Sequence, residues 1–460
     1  MKSYDVIVIG TGGGMKIALP AAEMGLRVAL VEKDAAGGTC LNRGCIPSKM
    51  LIHPADFMRR LEGARRIDLH PDGDLRVAFD DMVHRVSDTV DRLSQGLFAM
   101  LEASDNIDLY RGRAFFNGPR RVVVDTIEMT APRIFVATGS VPRIPAVEGL
   151  AGTPFMTSRE ALRTTELPAS MLVLGGGYIA CELGHVFGTF GTKTTFLVRS
   201  RLLRPEDREL GDRFAAVFGR HHRILTGVLP QRVVYEGGRF HVLLRPAGEG
   251  REHTVTADSL LVAAGVVPAT ADLELAATGV ACDAGGFIRV DRHLRTSCEG
   301  VYAFGDCVGN HFFRHTVNRE GEYLVDRFLK RAHREPLRYG PVPHAVFTWP
   351  EVAAVGRTEE ALHADGIDYV AGYAEYSDSN QGLARQLDHG FVKLLVERKN
   401  GRLAGAHILG EDAATMVHML IVLMARGGSL DDLLEVMFIH PALPELVRDA
   451  ARDARARLRA

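Results

Sequence analysis

The stretch GGTCLNRGCIPSK, Gly37 to Lys49, places Cys40 and Cys45 five positions apart in a chain of 460 residues with six cysteines. Three chemistries use a close cysteine pair: metal ligation, a structural disulfide, and a disulfide made and broken during turnover. A structural zinc site takes four ligands, commonly as two close pairs. The other cysteines, at 181, 282, 298 and 307, are scattered and offer no second pair, so no metal site is expected. The pair stands in a chain with few cysteines and no export signal, which makes the cytoplasm the expected compartment. There a close pair is more often catalytic or metal-binding than structural. A redox pair needs a thiolate of lowered pKa, a partner within reach and an electron acceptor. Lys49, one helical turn beyond Cys45, adds positive charge.

A second group lies near the end of the chain. FIHPALPEL sets His440 five residues before Glu445. Histidine titrates near neutral pH, which suits proton transfer to and from a thiol. A carboxylate on its other nitrogen would fix the tautomer and raise its basicity. Taken alone, a histidine in a proline-containing turn is equally a structural residue, and the other seventeen of the 18 histidines read that way.

The elements that must position these residues follow from apolar runs and glycine loops. DVIVIG, GTGGG, KIALPAAEMG and RVALVE, between Asp5 and Glu32, read as strand, loop, helix and strand. Continuous apolar runs of this kind mark parallel strands buried on both faces. Pro20 inside the helical stretch predicts an irregular start. The pattern returns in SMLVLGGG, YIACELGHVFGTFG and TKTTFLVRS, from Ser170 to Ser200. Between the two units, Asp80–Ser104 has helical periodicity. ATGS before Pro142, and AAGVVP at Ala263–Pro268, read as exits from the first and second units. The expected fold is α/β, with two Rossmann-like dinucleotide-binding domains and a C-terminal α+β dimerisation domain. The expected division is 1–147, 148–265, 266–338 (a return to the first domain) and 339–460.

Composition bounds the rest. Hydrophobic residues make up 46% and charged residues 24%, ordinary proportions for a soluble globular chain. A net charge of −2 gives no basic field for nucleic acid or an anionic membrane. No apolar run is long enough to span a bilayer, and the first apolar run leads straight into a glycine loop, as a buried strand does and a signal peptide does not.

The glycine loops have a physical purpose. Glycines permit a tight turn and let backbone N–H groups approach a pyrophosphate at a helix N-terminus. The first loop supplies Gly10, Gly12 and Gly14, but Met15 stands where the third glycine of G-x-G-x-x-G belongs. That glycine serves close helix–strand packing, and Gly13 and Gly14 are expected to absorb its loss. Glu32 falls at the spacing where a carboxylate takes a ribose hydroxyl. The second loop gives Gly175, Gly177 and Ala180. Its second strand ends without a carboxylate, and Arg199, Arg201 and Arg204 follow. A ribose 2′-hydroxyl calls for a carboxylate and a 2′-phosphate for arginine, so this unit reads as an NADP(H) site.

These residues together resemble the class I flavoprotein disulfide reductases, which include dihydrolipoyl dehydrogenase, glutathione reductase, mycothione reductase and mercuric reductase. The resemblance covers nearly the whole chain: the cysteine stretch, both loops, ATGS, FGDC at Phe304–Cys307, and HPALPE. It implies FAD on the first unit and NAD(P) on the second. By resemblance the FAD-contacting positions are Gly10, Gly12, Gly14, Glu32, Lys33, Gly38, Thr39, Thr138, Gly139, Asp306 and His315. Lys49 would stand near the flavin with Glu182 as its ion-pair partner. Gly175, Gly177, Tyr178, Ile179, Arg199, Arg204 and Gly265 would line the NAD(P) site, with Tyr178 as a gate over the nicotinamide. Cys40 would meet the substrate sulfur and Cys45 the flavin. His440, oriented by Glu445, would act as base on the cysteines of the other subunit of a homodimer.

The substrate is less sharply marked. The cysteine stretch is spelled as in lipoamide dehydrogenases. HPALPE, Met15 and the arginines after Val198 are similar to mycothione reductases. Ala263–Val266 lacks the arginine of the usual A-T-G-R, which weakens the NADP reading. Arg314 replaces a small residue or a lysine near the flavin. A dihydrolipoyl dehydrogenase-like activity on a small or lipoyl-protein dithiol stands first on prevalence. An NADPH-dependent low-molecular-weight disulfide reductase follows it. A non-catalytic FAD-binding assembly protein is the outlying reading, opposed by the intact Cys40, Cys45, His440 and Glu445. Without a C-terminal cysteine pair, mercuric reductase fits poorly.

Overall fold

The computed structural model describes residues 1–70, 77–248, 250–332 and 335–459. The chain folds into two compact units. One holds residues 1–48, 82–143 and 265–339, and the other holds 49–81, 144–264 and 340–460.

The first unit is built on a five-stranded parallel sheet in the order Val301–Ala303, Arg133–Val136, Val6–Ile9, Val28–Glu32, Ile107–Arg111. Val6–Ile9 is buried throughout because side chains alternate between two covered faces. Val6 and Val8 pack with Ile17, Ala18, Ala21 and Phe304. Ile7 and Ile9 face the other way, onto Phe116, Val122 and Val124. The last two belong to strand Arg121–Val124 of a second, four-stranded sheet.

Helix Met15–Glu23 joins the first two parallel strands and contains Pro20. Its first turn is tightened, with Lys16 N–H donating to Gly13 O and Ile17 N–H to Gly14 O. The glycine that close packing demands is Gly14. A side chain there would meet Gly10 O at 2.0 Å and Val8 Cγ1 at 2.5 Å. Met15 opens the helix and packs at the edge of the core. The missing third glycine is therefore replaced one residue earlier, by the residue already touching the strand.

In the second unit, four parallel strands run in the order Arg223–Thr226, Lys193–Val198, Ser170–Leu174, Ser259–Val262. Helix Tyr178–Thr189 follows the second glycine loop. The same unit carries a five-stranded antiparallel sheet, Pro343–Val346, Val352–Gly356, Leu403–Leu409, Phe391–Glu397 and Tyr369–Glu375. Helices Ala413–Ala425 and Glu445–Arg459 pack onto its core through Met416, Leu420, Val447 and Ala450. Among the described residues, no helix is long and apolar enough to cross a membrane.

Candidate active site and dinucleotide loops

The five-residue cysteine spacing has a local explanation. Cys40 lies in the short helix Gly38–Arg43, and Cys45 opens the helix Cys45–Gly63. Gly44 breaks the chain between them. A side chain on Gly44 would meet Thr39 O at 2.9 Å and Cys40 Cα at 3.3 Å, so glycine lets the backbone fold back and bring the second thiol to the first. Asn42, also buried, pins the short helix by donating to Ala36 O at 2.8 Å and Gly38 O at 3.0 Å.

The two cysteines stand as thiols hydrogen-bonded to each other. A hydrogen bond with Cys45, then burial, push the Cys40 thiol well above its usual range, and the charge of Arg314 opposes them. Two close thiols titrate as a pair: once one ionises, the other keeps its proton to bond the thiolate.

Residues that could hold an FAD converge in the first unit. Glu32, at the end of its strand, accepts from Thr11 N–H at 2.9 Å, Thr11 Oγ1 at 2.5 Å and Asp34 N–H at 2.9 Å. A carboxylate offers about four acceptor positions, so Glu32 ties the loop to the strand and keeps capacity for a hydroxyl. Thr138 Oγ1 is buried without a hydrogen-bond partner of normal geometry, although its hydroxyl acts on the nearby Cys307 thiol. Asp306 is held by Ser140 Oγ at 2.6 Å. Burial raises the Asp306 pKa against that bond. A partly buried carboxylate and a buried hydroxyl with spare capacity fit the polyol of a flavin dinucleotide.

Glu320 fixes the turn that carries Asp306 by accepting from Gly305 N–H at 2.7 Å and Tyr339 Oη at 2.5 Å. Lys33 stands at the surface 3.6 Å from Asp272. Gly38 and Thr39 begin the short helix, Gly139 adopts φ +72° beside Ser140, and His315 is exposed with its ring stacked on Phe313.

In the second unit, Lys49 Nζ donates to both oxygens of Glu182, at 2.9 and 2.8 Å. It also lies 4.5 Å from the centre of the Phe347 ring. Phe347 N–H donates to Glu182 at 3.1 Å, fixing the carboxylate from the side opposite in sequence.

The second loop is open where the first is filled. Gly175 has φ +134°, and a side chain there would meet Ala263 O at 2.2 Å, whereas Gly177 faces open space and Ile179 is exposed. Gly265, at φ +101°, also has nothing close to it.

The three arginines after strand Lys193–Val198 divide. Arg199 and Arg204 are exposed. Arg201 folds back, donating from Nη2 to Arg204 O at 2.9 Å and Glu206 O at 2.7 Å. Arg201 is thus a brace for the loop rather than a ligand. Sequence reading missed this, as it missed Glu206, His344, Ser140 and Glu320, all held by partners distant in sequence.

His440 Nδ1 lies 3.1 Å from each oxygen of Glu445. The side chain is 61% exposed. Glu445 also accepts from Ala442 N–H at 3.1 Å and pairs with Arg448 at 2.9 Å. These partners, Ala442 first, hold its carboxyl below the usual range. Val436, Met437 and Ile439, just before His440, are exposed apolar residues. Three converging carboxylates elsewhere, Asp207, Glu209 and Glu359, already hold a cation: the buried Lys393 ammonium at 2.8, 3.1 and 2.5 Å.

Known proteins match the chain over its length. Residues 4–328 match the family described as pyridine nucleotide-disulphide oxidoreductase, and residues 342–451 match the dimerisation domain of that family. The chain is 36% identical to the mycothione reductase of Mycobacterium tuberculosis over 98% of its own length and 99% of the relative's. It is 34% identical to a dihydrolipoyl dehydrogenase of Halobacterium salinarum, covering 98% and 96%. Among solved structures, the HOCl-induced flavoprotein disulfide reductase RclA of Escherichia coli is similar with a TM-score of 0.87 at 29% identity. That match covers 98% of this chain and 99% of that one.

Proposed function

Because the chain belongs to the pyridine nucleotide-disulphide oxidoreductase family, whose members use FAD and NAD(P)H and act on sulfur groups, we propose that it is an NADPH-driven reductase of a low-molecular-weight disulfide. The observation that carries this reading is the exposed pair Arg199 and Arg204 at the end of the second nucleotide strand. The carboxylate next in sequence, Glu206, is buried and already bonded. Arginine there favours a 2′-phosphate over a free ribose hydroxyl. The relative named mycothione reductase, at 36% identity, supports the same substrate class. A dihydrolipoyl dehydrogenase activity, on a small or lipoyl-protein dithiol, is the second reading, favoured by relatives of that name and by the spelling of the cysteine stretch.

The chain's own residues have these roles in the proposal. His440 takes the proton of Cys40, and the resulting thiolate attacks one substrate sulfur, forming a mixed disulfide and expelling the first thiolate. His440 protonates that leaving group through the nitrogen not bonded to Glu445. The Cys45 thiolate then attacks Cys40, expelling the second thiolate and leaving a Cys40–Cys45 disulfide. Bound FAD supplies the two-electron chemistry that returns this disulfide to two thiols at the expense of NADPH. Thr138 and Asp306 would hold the polyol, and Lys49 with Glu182 a fixed charge near the ring. The division into FAD segments 1–147 and 266–338, an NAD(P) segment 148–265 and a dimerisation segment 339–460 belongs to the proposal. So do a shared active site in a cytoplasmic homodimer and a His440 that acts on the partner subunit's cysteines. The exposed Val436, Met437 and Ile439 beside His440 support an interface there.

The test is steady-state turnover of purified holoenzyme. NADPH or NADH is supplied with mycothione, glutathione disulfide or lipoamide, and dihydrolipoamide is supplied with NAD⁺ or NADP⁺. The expected result is turnover with NADPH and a small thiol disulfide. Turnover confined to dihydrolipoamide with NAD⁺ would replace the first reading with the second.

A further inference from the structure

Arg314 is a cation near the cysteine pair that the chemistry above does not use. It opens helix Arg314–Leu324, with Phe313 at the N-cap. The side chain is half-buried, and among the described residues its guanidinium has no hydrogen-bond or ion-pair partner. Other arginines of the first unit are paired, Arg43 with Asp34 at 2.5 Å and Arg295 with Asp291 at 2.7 Å.

The first glycine loop fixes where Arg314 stands. On one side, Gly12 is pressed against Gly38, where a side chain would meet Gly12 Cα at 2.6 Å. Gly38 begins the short helix that carries Cys40. On the other side, a side chain on Gly13 would meet Val317 Cγ1 at 2.6 Å. Val317 follows Arg314 by one helical turn, on the same face of the helix. The starts of the two helices therefore meet at one loop. The charge of Arg314 reaches Cys40 there. It works against the Cys45 hydrogen bond and against burial, which both favour the protonated thiol.

An arginine partly withdrawn from water and unpaired is poised for an anion. Its planar fork matches a carboxylate through two parallel hydrogen bonds. We propose that Arg314 is a specificity-determining residue, which binds a carboxylate on the disulfide that Cys40 attacks and so selects carboxylate-bearing disulfides over neutral ones. The inference rests on the reductase reading and adds no covalent step to it.

Steady-state reduction of three small disulfides by the holoenzyme tests it, with NADPH and with NADH. They are 3,3′-dithiodipropionate, 2-hydroxyethyl disulfide and cystamine, which put an anionic, a neutral and a cationic group beside the same bond. The wild type should reduce the anionic disulfide with the highest kcat/KM and the cationic one with the lowest. Loss of one guanidinium–carboxylate contact lowers the anionic-to-neutral ratio of kcat/KM about ten- to a hundredfold in Arg314→Gln. Arg314→Lys keeps much of that ratio, because the charge remains. Added salt compresses the wild-type ratio and leaves that of Arg314→Gln nearly unchanged. The ratio separates recognition from an action on Cys40 or on the flavin, which would move all three substrates together. A wild type that reduces all three equally, or an Arg314→Gln variant that loses all three in equal measure, overturns the inference and leaves the reductase reading standing. If Arg314→Gln does not retain flavin, the wild-type charge series and its salt dependence decide alone. If the wild type reduces none of the three with either nucleotide, the reductase reading and the inference fall together.

Discussion

The two glycine loops share a plan and differ in what guards them. In the first, the polar side chain of the loop, Thr11, bonds the carboxylate at the end of the next strand, Glu32. In the second, the polar side chain after the loop, Tyr178, bonds a carboxylate well beyond the next strand, Glu206. The first strand thus ends in an acid suited to a ribose, and the second in exposed arginines suited to a phosphate. Packing also differs. The first loop replaces its missing third glycine with Gly14, pressed on Gly10 and Val8, while the second uses Ala180 and leaves Gly177 facing open space. In the proposed reading, the shared strand–loop–helix pattern specifies a dinucleotide, and the residues past the second strand specify which one.

Exchanging the arginines should break this contrast most strongly. Charge-assisted bonds to phosphate contribute about 1.5–3 kcal/mol each. Arg199→Ala and Arg204→Ala should each lower kcat/KM for NADPH by about ten- to a hundredfold and shift preference toward NADH. Equal losses with both nucleotides would show that the second strand end does not discriminate. A smaller effect is expected at the first loop. Thr11→Val removes one hydroxyl bond to Glu32 and keeps the backbone one, so flavin affinity should fall about three- to tenfold. Flavin release measured by fluorescence under mild denaturant checks this. A loss of flavin no greater than in wild type would separate Thr11 from the cofactor site.

Much of this was legible in the sequence because it is local. Apolar runs named the parallel strands, and the helix expected at 80–104 is observed at Phe79–Glu102. The pairings of Lys49 with Glu182 and His440 with Glu445, implied by resemblance, are present as short contacts. The rest was hidden because it depends on tertiary approach. His344 and Glu206 are 138 positions apart, and nothing in either segment announces the other. Arg201 was indistinguishable from its neighbours until its guanidinium was seen to turn inward. Met15 looked like a defect because the motif counts positions, whereas packing counts contacts: the needed glycine was one place earlier. The raised pKa of Cys40 was hidden for a similar reason, since a charge neighbourhood can be guessed from sequence but a shared proton needs two thiols in contact.

The central claim is that Cys40 and Cys45 exchange electrons with a bound flavin. The most direct test is anaerobic titration of the holoenzyme with NADPH, followed by absorbance. In the wild type, two electrons should reduce the cysteine pair and develop a long-wavelength charge-transfer band between the Cys45 thiolate and oxidised flavin. Cys45→Ser should instead bleach the flavin directly, without that band, and lose disulfide turnover. A wild type that bleaches without the band, or a Cys45→Ser variant that still turns over, would contradict the account.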